Sequence, residues 1–162
     1  MTDTGGFMHS NTTADVLRIS AELTDLGADK EEITEKIFAN KRIAAIRVVG
    51  RALAESRLEM DGKFCWSLVD EKMLMETGAD GEDTEEIIQH LRSVEGVDVA
   101  ALFKNYDGDI RVSLRGNGRV NVQLAAGRLG GGGHYRASGL TYRGTLADAI
   151  VAVRESILAE GL

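Results

Sequence analysis

Apolar residues recur at helical spacing through the first third of the chain. Thr12 or Thr13 is placed to cap a helix that runs to about Leu26, where Gly27 stops it. Asp29 followed by Glu32 has the form of a capping box, and Ile33, Ile37 and Phe38 carry the spacing on to about Asn40. A third helix, residues 43–57, sets Ile46, Val49, Leu53 and Ala54 on one stripe. Beyond it the period shortens. Residues 57–60 and 63–69 flank Asp61-Gly62, and residues 97–106 and 109–114 flank Asp107-Gly108. Each is a hairpin signal, because Asp-Gly accepts the left-handed turn that matches strand twist. A helix over residues 84–92 follows the turn-like Ala79-Asp80-Gly81, and Asn121 caps a short helix to Arg128. Residues 140–142 read as a strand. Thr145 caps a last helix to about Ala159, with Leu146, Ile150, Val153 and Ile157 inward. The pattern predicts an α+β fold: an N-terminal helical arm followed by a mixed β-sheet of about five strands with flanking helices.

Length and composition narrow the class. A chain of 162 residues holds one compact domain with a helical extension but not two full catalytic domains. Hydrophobic residues at 43% and charged residues at 28% belong to a soluble globular protein. No apolar run approaches the roughly 20 residues that span a bilayer, and the opening MTDTGGFMHSNTT has neither the basic nor the apolar stretch of a signal peptide. A cytoplasmic location without membrane contact is therefore the expectation. The single cysteine, Cys65, lies between Phe64 and Trp66 and is expected to pack as a small hydrophobe in a strand.

The net charge of −7 argues against a general nucleic-acid binder held by counterion release. It is unevenly spread: residues 104–143 carry seven Lys or Arg against two acids, a balance of +5, while the remainder carries 12 against 24, a balance of −12. A basic site on an acidic body attracts a small anion and disfavours long duplexes. Solvated strand faces account for the same pattern equally well.

Gly130-Gly131-Gly132-Gly133-His134 changes that balance. Each glycine has about 0.5–1 kcal/mol more backbone entropy to lose than alanine. Their expected return is access, since bare successive N–H groups can converge on an oxyanion. His134 adds a donor, and Arg128 or Arg136 could add charge. The competing structural reading is a tight crossing of strand and helix, in which the glycines merely permit close packing.

The string GRLGGGGHYRASG, residues 127–139, resembles the signature of the DHH-associated C-terminal domain, a run of glycines and a histidine followed shortly by Ala-Ala-Gly or Ala-Ser-Gly. IRVSLRG, residues 110–116, resembles the strand that precedes it in that family, which ends in a substrate-contacting arginine; Arg115 holds the matching position. Thr2-Asp3-Thr4-Gly5-Gly6-Phe7, with Ser10-Asn11-Thr12 after it, is similar to the last motif of the DHH catalytic domain, where the aspartate binds one of a manganese pair. The resemblance therefore implies the C-terminal part of a DHH-family phosphoesterase of the nanoRNase and pAp phosphatase type. Residues 1–11 would end the catalytic domain, 12–57 would be a helical linker, and 58–162 the DHH-associated substrate-binding domain. It implies a hydrolase acting on short RNA or a mononucleotide phosphate such as 3′-phosphoadenosine 5′-phosphate. Substrate would be held by Arg115, Gly130, Gly131, Gly132, Gly133, His134 and Ser138, and Asp3 would be a metal ligand.

The family's earlier catalytic motifs, an Asp-x-Asp pair, a further aspartate and Asp-His-His, occur nowhere in the chain, and His9, His90 and His134 lack metal-ligand spacing. On this reading the chain alone is inactive and binds no metal tightly, its catalytic DHH domain missing or supplied separately. A homodimer is left open. The alternative is a stand-alone, non-catalytic nucleotide or nucleic-acid binding module.

Overall fold

The computed structural model describes residues 4–8, 11–106 and 108–162. It divides into two compact units, residues up to 41 and residues 42–162. In the first, α1 (Ala14–Asp25) is capped by Thr13, whose hydroxyl accepts from Val16 N at 3.3 Å, and α2 (Lys30–Thr34) by Asp29, whose carboxylate accepts from Glu32 N at 2.9 Å. A π-helical turn, Glu35–Ala39, continues α2 and closes with Asn40 N donating to Glu35 O. None of these three elements buries a residue.

The second unit is a six-stranded mixed sheet between two helical layers. Its strands are β1 (Arg57–Glu59), β2 (Phe64–Asp70), β3 (Val99–Tyr106), β4 (Asp109–Gly116), β5 (Gly132–His134) and β6 (Ala137–Tyr142), in the order β1-β2-β3-β4-β6-β5. Only β2 and β3 run parallel. Parallel neighbours need a crossover, and α4 (Glu71–Thr77), a 3₁₀ turn (Glu82–Thr84) and α5 (Ile87–Arg92) supply it. Together with α3 (Ile43–Ala54) they cover one face over a core that includes Val48, Ala52, Cys65, Val69, Ile87, Leu91, Ala100 and Leu102. The other face, with Phe64, Val99, Ala101, Phe103, Val112 and Leu114, is covered by α6 (Val122–Arg128) and α7 (Leu146–Leu158). Period-two alternation along β3 deals its side chains to these two cores in turn.

The α+β class and the order of elements agree with the sequence pattern; details differ for physical reasons. The sixth strand is β5, formed by residues expected to be a loop. In α3 the buried stripe is Ala44, Val48 and Ala52, not the larger set, and Ile46 is exposed. A small-residue stripe lets the helix seat closely on β2: the Ser67 hydroxyl donates to the Ala52 carbonyl at 2.6 Å. The first hairpin turns one residue early, with Met60 and Asp61 at φ 53° and 54° and Gly62 N donating to Glu59 O. In the second hairpin Asp107 lies outside the described residues. The helix α4 goes beyond the expected elements; Asp70 caps it by accepting from Met73 N at 2.7 Å, and Gly78 ends it at φ 70°.

Candidate functional site

Strand register settles which of the glycine-loop residues share a surface. Arg115 of β4 lies opposite Ala137 of β6, and Ala137 lies opposite His134 of β5. The next row on that face is Ser113, Gly139 and Gly132, and beyond it Arg111 faces Thr141. Rows on one face of an antiparallel sheet are separated by two residues, and adjacent strands by about 4.8 Å. Arg115 and His134 therefore stand about 10 Å apart across the single methyl of Ala137. The floor beside them is Ser113, Gly139 and Gly132, with no side chain larger than serine.

This trough is open because the helices of its layer stop short of it. The helices α3, α4 and α5 pack on β2 and β3, with α5 reaching β4, while β5 and β6 are backed by α6 on the opposite face. Arg115 is half-buried at the edge of α5, and its Nη1 donates to Leu114 O at 3.0 Å. Among the described residues it makes no salt bridge. Burial pushes its guanidinium below the usual arginine range, Glu85 opposes that effect, and Arg92 adds to it. A guanidinium offers five N–H donors, and among the described residues the bond to Leu114 O is the one hydrogen bond those on Arg115 make. The His134 side chain is exposed.

The four glycines do different work. Leu129 caps α6, Gly130 takes φ 79°, Gly130 N donates to Gly127 O at 3.1 Å, and Gly131 N donates to Ala126 O at 2.9 Å. This is a Schellman closure, and it commits the Gly131 amide to the helix end. A β-carbon on Gly131 would collide with Gly139 O and Leu140 Cβ, and one on Gly133 would lie 2.6 Å from Ala137 O and 2.7 Å from Ser138 Cα. Close packing thus accounts for Gly131 and Gly133. Only Gly132 has an ordinary φ and open space where a β-carbon would stand.

Ser138 is buried in the row of Gly133 and Leu114, on the face away from Arg115, and its hydroxyl donates to His134 O at 2.9 Å. It ties the turn that carries His134. Arg128 is likewise turned away, donating through Nε and Nη2 to Glu160 Oε1 at 2.9 and 2.7 Å beside a second cleft of about 510 Å³, which Gly131 and Gly132 also line. The structure therefore brings together Arg115, Gly132 and His134, and separates Gly131, Gly133 and Ser138 from them. Asp3 lies outside the described residues. Among those described, no group of three or more His, Cys, Asp or Glu is placed to hold a metal, so the implied manganese pair finds no fit among them and no step below runs through it. Nor is any helix among them long and apolar enough to cross a membrane.

The trough continues into a cleft of about 930 Å³ whose walls include Lys104, Arg111, Ser113, Tyr106 and Glu85. Lys104 and Arg111 are cross-strand partners. Both belong to the basic segment evident in the sequence, but charge counting alone gives no register and so does not place them beside Arg115.

An α+β domain with a glycine-edged, basic trough on its open half-sheet is the class that fold and site define. Residues 61–160 match the DHHA1 domain model, and the chain belongs to that family. It is 33% identical over 99% of its length to the bifunctional oligoribonuclease and PAP phosphatase NrnA of Thermus thermophilus, covering 49% of that protein. Against the protein of the same name from Bacillus subtilis it is 27% identical over 98% of its length, covering 50%. The chain thus spans about half the length of these relatives. Its fold matches the crystal structure of an exopolyphosphatase-related protein from Bacteroides fragilis with a TM-score of 0.91 at 24% identity, over 98% of this chain and 47% of that one.

Proposed function

We propose that this chain is the substrate-gripping portion of a metal-dependent phosphoesterase that hydrolyses short oligoribonucleotides or 3′-phosphoadenosine 5′-phosphate. One observation carries the reading: register sets Arg115 and His134 on either side of a floor of alanine, glycine and serine, on the sheet face where α3, α4 and α5 pack on β2 to β4 and not on β5 and β6. A terminal phosphate seated there takes charge-assisted hydrogen bonds from Arg115 and a donor from His134, while Gly132 lets the ligand approach the backbone of the edge strand. The names of the relatives, which join oligoribonuclease and phosphatase activities, support a nucleotide rather than another anion.

The division of labour follows from the same placement. Holding the far end of a short chain aligns its phosphodiester for attack elsewhere, and positioning of this kind lowers the entropic part of the barrier. The manganese chemistry is assigned to the catalytic portion of such an enzyme. Chains too long to present an end to the trough would be poor substrates.

The test is calorimetric titration of the chain with a 5′-phosphorylated diribonucleotide. Arg115→Ala and His134→Ala should each weaken binding by roughly 1.5–3 kcal/mol, the range for a hydrogen bond to a charged group, with unfolding transitions unchanged. Unaltered affinity in both variants would place the ligand elsewhere.

A further inference from the structure

The sheet row that holds Arg115 also runs the other way, from His134 through Arg115 toward β3. On that side Arg115 pairs with Ala100, which is fully buried in the same core cluster as Ile88 and Leu91 of α5. Residues 93–98 lead from the end of α5 to the start of β3, and Ala100 is the second residue of that strand. The C-terminal end of α5, which packs on β4 as well as on β3, therefore stands beside the row of Arg115. Its last residue is Arg92, which follows the buried Leu91 and is itself exposed. Burial is the main reason that the Arg115 guanidinium lies below the usual range; Glu85 opposes it, and the positive charge of Arg92 adds to it.

Two cations thus stand together with no carboxylate between them. Among the described residues neither Arg92 nor Arg115 makes a salt bridge, and the Glu85 carboxylate is taken up by the Lys104 ammonium at 2.7 Å. A helix C-terminus favours a cation, which accounts for a basic residue at position 92. It does not account for a second guanidinium nearby, since neighbouring like charges are destabilising. An anion received between the two removes that cost.

We propose that Arg92 is a substrate-binding residue that, with Arg115, receives a second phosphate on the α5 side of the terminal one, so that the site favours ligands with two phosphates joined through one nucleoside. The inference rests on the terminal-phosphate reading of Arg115 and His134. A planar guanidinium has donors enough for two oxyanions, so Arg115 serves both phosphates as the middle member of the row. A ligand with one phosphate uses Arg115 and His134 and leaves Arg92 in solvent.

The experiment compares adenosine 5′-monophosphate with adenosine 3′,5′-bisphosphate by calorimetry on the full 162-residue chain and on three variants, Arg92→Gln, Arg115→Ala and Arg143→Gln. The last removes an exposed arginine just beyond the end of β6, about 20 Å along the strand from the row of Arg115. Arg92→Gln should weaken the bisphosphate by roughly tenfold, the lower end for one charge-assisted contact, and the monophosphate far less. Because Arg92 is exposed, the unfolding transition should stay in place. Arg143→Gln should leave the ratio of the two affinities as in the parent. Equal changes for both nucleotides in Arg92→Gln, no change, or a matching loss of preference in Arg143→Gln would overturn the inference. Arg115→Ala separates the two claims. If it weakens both nucleotides while Arg92→Gln leaves their ratio alone, this inference fails and the terminal-phosphate assignment stands. If Arg115→Ala changes neither affinity, or the parent chain binds neither nucleotide, the assignment fails and this inference with it.

Discussion

The glycine run shows why composition and contact must be separated residue by residue. Gly131 and Gly133 lie against the backbone of β6, so a methyl at either would force strand and loop apart. Gly131→Ala should destabilise the domain by roughly 1–3 kcal/mol, the range for overpacking, whereas Gly132→Ala should stay within about 0.5 kcal/mol of the parent and instead weaken nucleotide binding. Thermal unfolding of the two variants side by side checks this. The sequence made the run conspicuous; close packing accounts for Gly131 and Gly133, and the ligand-access reading is kept for Gly132 as part of the proposal. The sequence could not say which glycine does which, because the answer depends on what β6 places beside each residue. The resemblance singles out Arg115 and His134 as candidate binding residues, and register sets them on one face. Ser138 was grouped with them, yet the alternation of β6 turns it to the buried face, where it holds the His134 carbonyl.

At the scale of elements, caps and hairpins were readable because their signals are local. Thr13, Asp29, Asn121 and Thr145 all cap the helices they were expected to cap. The helix α4 carries the same kind of signal in Asp70 and Gly78, but its seven residues are too few for a periodic stripe to show. Asp70→Ala should cost about 1 kcal/mol through the lost bond to Met73 N, measurable as a lowered denaturant midpoint. Ion pairs fasten α3 to this crossover: Arg42 with Asp80 at 2.6 Å and Asp83 at 3.1 Å, and Arg51 with Glu76, while Arg51 also pairs with Glu55 at the end of its own helix. Hydrogen bonding from Arg51 holds Glu76, and from Arg42 holds Asp80, below the usual carboxylate range. A carboxyl depressed in the folded state contributes stability that is present above its unfolded pKa, about 4, and is lost as pH falls through the folded value. The melting temperature should thus drop between about pH 5 and pH 2, and the drop should be smaller in Glu76→Gln/Asp80→Asn. An equal drop in parent and variant would mean that these pairs do not couple folding to pH.

At the scale of the whole molecule, two units of different character are joined in one chain. The elements of the first bury no residue, while the strands of the second lie between two apolar cores. Local opening is easiest where few apolar contacts must be broken, so amides of residues 14–39 should exchange with solvent much faster than those of β3 and β4. Hydrogen-exchange mass spectrometry reads both in one experiment. The sequence conveyed the order of helices and strands, but the half-sheet left open beside β4 arises from strand order and from how far α5 reaches, neither of which is a local property. The proposed function rests on that open half-sheet, and it is tested most directly by titrating the isotopically labelled chain with a 5′-phosphorylated diribonucleotide while following backbone amide resonances. The account predicts that shifts concentrate at Ser113, Arg115, Gly132, His134 and Gly139; shifts concentrated instead around Gln123, Gly127 and Glu160, on the opposite side of the glycine run, or no shifts at all, would contradict it.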